Sequence, residues 1–391
     1  MTSRSENTYM MPANNYGKLA LVIALIGILL SAFGFVKDPG QFFHSYLVAY
    51  VFWVTISLGA LFFLLMHHVT GAFWSVSLRH VVESIVATIP LMAILWIPIG
   101  FGIHDLYHWS HESVMASDKL LAAKAPYLNT TFFVIRTFIY FIIWGFISYK
   151  LRSLSKRTKS NNDILSMRKV SAVGTVFYAL TVSFAMFDWL MSLDPHWYST
   201  IYGVYLFGGA YLNGIAMVIL VIAALKSLNL LTTEVTSEHY QDLGKLLFGF
   251  VVFWAYISAS QYFLIWYGNI PEETIWFKRR WEGTWKAFSL SMIAVGFVVP
   301  FFALMFRAAK RNLVFLSSIC LLLFVAHWMD MYWNVMPGFH RGNVSLSWID
   351  LSTMVALGGL FFWTVWRSLA SRSLIPLNDP YLNKSISHKN F

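Results

Sequence analysis

Residues 43–66 read FHSYLVAYVFWVTISLGALFFLLM, twenty-four consecutive positions without an aspartate, glutamate, lysine or arginine. The hydrocarbon core of a bilayer is ~30 Å thick, and a helix needs roughly 20 apolar residues to cross it. A helix also satisfies its own backbone N–H and C=O groups where no water can. The run therefore predicts one transmembrane helix. Runs near 19–36, 81–101, 129–149, 170–193, 201–225, 243–267, 285–306, 312–333 and 347–368 meet the same test. The expected fold is an all-α integral membrane protein of about ten transmembrane helices, a single polytopic domain over 1–391. The first run, preceded by Arg4 and Lys18, exceeds the ~7–15-residue apolar core of a signal peptide. Its last residues, FGFV at 33–36, offer no small-residue cleavage site, so it reads as a retained span.

Composition agrees. Of 391 residues, 58% are hydrophobic and only 12% charged, against about a quarter charged in a soluble domain. Too few polar residues remain to cover a water-exposed surface. The formal charge is +10, but its distribution matters more than its size. Nineteen of the 28 lysines and arginines fall at the two ends of the chain and in the loops on that side, including seven from Lys150 to Lys169. Eight fall on the other side, balanced by eight acidic residues, and Arg136 lies within a span. By the positive-inside rule both termini are expected in the cytoplasm. The basic character is an orientation signal, so the expected partner is a lipid bilayer and not a nucleic acid. The polar stretch 151–168 marks the midpoint of the bundle. The longest outer loop, 102–128, is rich in His, Asp and Tyr and reads as a docking surface.

Cys320 is the sole cysteine, which excludes an internal disulfide, a cysteine-ligated iron–sulfur cluster and a CxxCH haem site. Any covalently held redox carrier belongs to a partner chain. No metal is expected either. His104, His108 and His111 align only if their segment is helical, and they lack a recognised ligand signature. His44, His67, His68 and His80 lie near helix ends and do not face one another as a pair of axial haem ligands does.

Ionisable groups inside a membrane are costly and mark functional candidates. Glu83 falls in the first turn of the third run, where the helix dipole favours an anion. Asp350 follows Ser347 at the spacing of a capping box. Asp188 and Asp330 lie near helix C-termini, where the dipole disfavours negative charge. Each therefore needs a retained proton or a cationic partner, and Arg136 is the obvious cation. His327 and Asp330 are three residues apart on one face, an arrangement in which a carboxylate can orient an imidazole for proton transfer. Ser258, Gln261 and Tyr262 form a polar stripe that is either interhelical glue or one wall of a hydrated path. Glu83, Asp188, Ser258, Gln261, Tyr262, His327, Asp330 and Asp350 are thus the candidate proton pathway. His67, His68 and His80 accompany Glu83 on the inner side.

The most distinctive stretches are FDWLMSLDPHWYST at 187–200 and AHWMDMYWNVMPGFH at 326–340. Together they resemble the membrane subunits of bacterial alternative complex III, relatives of the NrfD/PsrC quinol-interacting family. The similarity extends over essentially the whole chain and is nearer the smaller of the two paralogous membrane subunits. The resemblance implies two four-helix bundles, spans 2–5 and 6–9, with spans 1 and 10 peripheral. It also implies a multi-pass subunit of the bacterial inner membrane within a quinol:cytochrome c (or quinol:oxidase) complex. Partners would be an iron–sulfur subunit, c-haem subunits and a paralogous membrane subunit, with menaquinol or another quinol as the mobile carrier. This chain would then act as scaffold and proton half-channel. Arg136, Asp188, Asp194, His196, His327 and Asp330, all toward the outer side, would be candidates for a quinol site, since quinol oxidation needs an acceptor for its hydroxyl protons. The alternative is a secondary transporter or channel using intramembrane carboxylates. Transporters often break matching helices in their two halves; Pro90 and Pro98 interrupt the third run, with no matching proline pair in the seventh or eighth.

Overall fold

A computed structural model of the chain describes residues 9–12 and 14–390; Arg4 lies outside them. Among the described residues ten helices are long and apolar enough to cross a membrane: Tyr16–Lys37, Pro39–Thr70, Phe73–Phe101, Thr130–Arg157, Asn161–Leu193, Tyr202–Ser227, Ser237–Gly268, Trp285–Met305, Leu313–Gly338 and Trp348–Ala370, here spans 1 to 10. The same residues contain no strand. The chain is an all-α multi-pass membrane protein.

Spans 2 and 7, at 32 residues each, outrun their apolar segments because polar caps keep the ends helical. The Asp38 side chain accepts from the Gln41 N–H at the start of span 2, and Gly71 closes it with φ +66°. Thr236 and His239 form a reciprocal cap at the start of span 7. Spans 2, 3, 4 and 5 pack in a ring, spans 6, 7, 8 and 9 in a second ring, and spans 2 and 6 form the shared wall. Span 1 lies along span 10, which packs on span 2. Burial follows this plan: 94% of the apolar window of span 2 is inside the protein, against 22% of that of span 1.

In lipid, apolar surface alone does not hold helices together, and small residues that let backbones approach matter more. A Cβ on Gly214 would lie 2.5 Å from the Gly59 carbonyl carbon, and one on Gly59 would collide with the Ala210 carbonyl oxygen. Spans 2 and 6 thus cross backbone to backbone. Gly27 and Gly359 do the same for spans 1 and 10.

Two spans are irregular. Span 3 opens as a 3₁₀ turn, Phe73–Leu78, then continues as Arg79–Val86, Ile89–Leu95 and Ile97–Phe101. The last two pieces begin one residue before Pro90 and Pro98, whose missing N–H and bulky ring interrupt the ladder. Span 8 contains a π-turn, Ala294–Val298, between Trp285–Ile293 and Val299–Met305, two residues ahead of Pro300.

After span 10 the chain folds back across the basic face. Arg79 pairs with Asp379 at 2.5 Å, Ser385 Oγ donates to the Trp74 carbonyl at 2.6 Å, and His388 meets Asp242 at 2.7 Å. The tail thereby ties the start of span 3 to the start of span 7. The Leu374 N–H donates to the Tyr9 carbonyl, so the two ends of the chain meet on this face.

Gly59→Ala should push spans 2 and 6 apart and destabilise the fold by about 1–3 kcal/mol, the usual range for overpacking. The midpoint of thermal unfolding in detergent reads this. Gly145→Ala, where a Cβ meets nothing within 4 Å, is the control expected to leave the midpoint unchanged.

Candidate functional site

Three polar centres within the spans carry the candidate chemistry. In the first bundle, Arg136 of span 4 grips Asp188 of span 5 through both carboxylate oxygens, Nε to Oδ2 at 2.8 Å and Nη2 to Oδ1 at 2.9 Å. Tyr127 and Tyr140 each donate a phenolic O–H to the same carboxylate, at 2.9 and 2.7 Å. Arg136 also donates to the Tyr127 carbonyl and stacks 3.8 Å over the Tyr127 ring. Burial, and secondly the Asp188 charge, push the Tyr127 phenol above its ordinary range, so it remains a donor. Asp188 is fully buried, and its carboxylate accepts four hydrogen bonds. The expected cationic partner is present, and the group is held as a closed ion pair.

Asp330, the corresponding residue of span 9, has no cationic partner among the described residues. Its donors are neutral: the Tyr205 phenol, Trp254 Nε1 at 3.2 Å and Asn334 Nδ2 at 3.2 Å. Tyr202 donates in turn to Asn334 Oδ1 at 2.8 Å. Burying an unpaired carboxylate costs several kcal/mol, and an ionisable group without a counter-charge inside a span is a functional candidate. His327 does not bond to Asp330, contrary to the spacing argument. Its Nε2 meets Thr55 Oγ1 of span 2 at 2.8 Å, because the shared wall offers a nearer partner than the next turn of its own helix. His327 Nδ1 and Asn213 Oδ1 are buried without a partner. With Asp330, Trp254, Gly209 and Gly296 they border a cavity of about 10 Å³ beside the π-turn, room for about one water.

The third centre lies toward the basic face. Glu83 is not in the first turn of its helix, since span 3 begins at Phe73 and its α-helical part at Arg79. The dipole explanation therefore fails. Arg372 of the C-terminal tail holds Glu83 instead, Nη1 to Oε2 at 2.5 Å. His80 Nδ1 meets the Ser373 carbonyl at 2.7 Å, and His68 Nδ1 meets Ser171 Oγ at 3.1 Å. Four buried nitrogens here lack a hydrogen-bond partner: His68 Nε2, His80 Nε2, Arg152 Nε and Arg372 Nε. Buried polar atoms are normally paired, and a cluster of exceptions marks a place where water fits. A pocket of about 40 Å³, bordered by His67, His68, Ser75, Arg79 and Tyr381, opens next to it.

The remaining predicted residues are dispersed. Asp350 caps span 10 as its spacing implies, accepting from the Ser347 N–H at 2.8 Å, and its other oxygen is taken by Ser45 at 2.5 Å and Gln41 at 3.2 Å. Asp194 pairs with Arg279 at 2.6 Å, and His196 with Asp118 at 2.6 Å, both in loops. The predicted outer group thus separates into the Arg136–Asp188 pair, the Asp330 and His327 region, and two loop pairs. Among the described residues no hydrogen bond or ion pair joins one of these to another. Of the span 7 stripe, Gln261 accepts from Ser199 at 3.2 Å, while Ser258 and Tyr262 line a cleft toward span 8. The 102–111 segment breaks into Ile103–Leu106 and His108–Ser110, so its three histidines do not align. His104 Nδ1 meets Ser110 Oγ and His111 Nε2 meets the His104 carbonyl. Among the described residues no cluster could hold a metal.

Tyr205, Trp254, Asn334, Arg372 and Arg280 escaped the sequence reading. Asn334 carried a signal, lying four residues after Asp330 as Ser192 does after Asp188. Arg280 is buried on the carbonyls of Trp276, Trp333 and Asn334 at 2.9–3.1 Å and stacks 3.4 Å over Trp276. Burial lowers its proton affinity, but a guanidinium stays charged at neutral pH. No protein-family model and no curated protein matches the chain.

Asp188→Asn should cost about 3–5 kcal/mol, because it strands a buried arginine, and the unfolding midpoint should fall accordingly. Replacing both partners, Arg136→Leu with Asp188→Leu, should restore much of the loss; a single variant as stable as the parent would show that the pair contributes nothing. A second expectation concerns pH. His196, and then the Leu121 and Leu120 N–H groups, hold Asp118 below its ordinary aspartate value. A folded-state value below the unfolded one adds stability above the unfolded value, which is lost as pH falls through the folded one. The protection factor against amide exchange in Lys119–Lys124, taken relative to the intrinsic rate at each pH, should therefore fall on acidification below the aspartate range and stay unchanged between pH 7 and 8.

Proposed function

We propose that this chain is the membrane-embedded scaffold of a quinol-oxidising electron-transfer complex of the bacterial inner membrane, and that it provides a proton half-channel from its basic, cytoplasmic face. The observation that carries this reading is the Glu83 centre: a buried carboxylate ringed by four unpartnered nitrogens, with a pocket beside it on the basic face. Stable packing alone gives no reason to leave so many buried polar atoms unpaired around one carboxylate. Asp330, on the other side of the shared wall, has neutral donors and can take or give a proton as quinol hydroxyls are oxidised. The Arg136–Asp188 pair, locked by four donors, serves as structure. Electron carriers, iron–sulfur clusters and c-type haems, sit on partner subunits in this reading, which also rests on the resemblance of residues 187–200 and 326–340.

One observation favours the second reading, a secondary transporter. The two irregular spans, 3 and 8, hold the third place in each five-helix half of the chain, and matched breaks are a transporter feature.

The test is purification in mild detergent with mass spectrometry and an absorption spectrum. Iron–sulfur and c-haem subunits should co-purify, and this chain alone should be colourless. In proteoliposomes of that complex, Glu83→Gln should retain quinol turnover while losing proton uptake from the basic side, and Asp330→Asn should depress turnover itself by at least tenfold. A chain that purifies alone and drives solute uptake would overturn the proposal in favour of transport.

A further inference from the structure

Spans 7 and 8 do not pack along their whole length. On the basic side of the π-turn they touch, with Phe248 and Phe301 in ring contact at 5.4 Å. Beyond the turn they diverge, and a cleft of about 670 Å³ opens between them toward the surrounding lipid. Its walls are largely apolar and aromatic, including Trp254, Tyr262, Trp266 and Phe297, and Phe277 and Trp281 bound its outer end. The volume falls within the ~300–1,000 Å³ of ordinary ligand sites.

Two features say what fits. The first is depth. From Trp285 to Phe297 is twelve residues, about 18 Å of helix, a little more than one leaflet of a hydrocarbon core ~30 Å thick. The Phe248–Phe301 contact closes the floor, so a partner helix crossing the membrane cannot run through the cleft, whereas a chain that ends mid-bilayer can. The second is charge. The charged residues on the lining are Lys278 and Arg280, with no carboxylate among them. Arg280 is committed to backbone carbonyls, but Lys278 is exposed at the mouth and forms no ion pair among the described residues. The site offers a cation at head-group level above an apolar slot one leaflet deep. Asp330 lies behind Trp254 and does not line the cleft, so no carboxylate faces it to accept a hydroxyl proton.

We propose that the cleft between spans 7 and 8 binds an anionic phospholipid of the leaflet remote from the basic face, with an acyl chain between the helices and its phosphate at Lys278. This does not depend on the redox reading, since the site would serve a transporter equally.

The test uses the full chain, delipidated in detergent, with native mass spectrometry and unfolding midpoints read during titration with phosphatidylglycerol or with phosphatidylcholine of the same chains. Phosphatidylglycerol should bind one per protein and raise the midpoint, and phosphatidylcholine should do so more weakly. Lys278→Gln should weaken phosphatidylglycerol about fivefold, the contribution of one lysine near a membrane surface. Ala259→Trp, at an exposed wall position, should fill the slot and abolish binding of both lipids while keeping the lipid-free midpoint. Equal binding of the two lipids to the parent would overturn the head-group assignment. Undiminished phosphatidylglycerol binding to a folded Ala259→Trp chain, or its displacement by a short-chain quinone analogue, would overturn the site.

Discussion

Everything else in this architecture hangs on the crossing of spans 2 and 6, where Gly59 and Gly214 bring two backbones into contact. Lipid tails are as apolar as leucine, so close fit and hydrogen bonds must do what hydrophobic burial does in water. With span 6 pressed against it, span 2 becomes the axis of the molecule and supplies polar partners to its neighbours. Thr55 receives His327 of span 9, Ser45 and Gln41 hold Asp350 of span 10, and the Leu58 carbonyl accepts the Tyr178 phenol of span 5. One helix thus joins two bundles and the outlying pair.

The two bundles place a carboxylate at equivalent points and treat it in opposite ways. Asp188 and Asp330 each sit near the end of the last helix of a ring, four residues before a side chain that bonds back to the aspartate carbonyl: Ser192 in one case, Asn334 in the other. An arginine with two phenols closes the first site. A phenol, an indole and an amide surround the second, next to a water-sized cavity and a π-turn. An ion pair in a low-dielectric medium resists separation, so the first site is a fixed joint, whereas the second carboxylate is held by neutral donors alone.

Polarity is also divided along the membrane normal. On the basic face the returning tail supplies Arg372 to Glu83 and Asp379 to Arg79, so charge is neutralised by a segment outside the spans. On the other face basic and acidic side chains pair within the loops, as in Asp194–Arg279 and Asp118–His196, and the loop after span 7 is anchored by Arg280 on backbone carbonyls. Arg280 is thus satisfied by carbonyls, and the charged residues lining the cleft between spans 7 and 8 are Lys278 and Arg280.

Hydropathy alone determined the ten spans, because leaving a long apolar helix in water, or a broken backbone in lipid, is prohibitive. Local spacing was enough for the Asp350 cap, whose Ser347 partner lies within one turn; the dipole argument left Asp188 either a retained proton or a cationic partner, and packing supplied Arg136. Where a partner came from a distant span, spacing misled or was silent. His327 chose Thr55 over Asp330, three residues away, and Glu83 found Arg372 almost three hundred positions on. The splaying of spans 7 and 8 left no trace in composition, since lipid-facing and cleft-facing aromatics read alike. A one-dimensional pattern records how each helix meets the membrane; which polar group meets which is decided by the packing of helices against one another, and that depends on contacts no local period encodes.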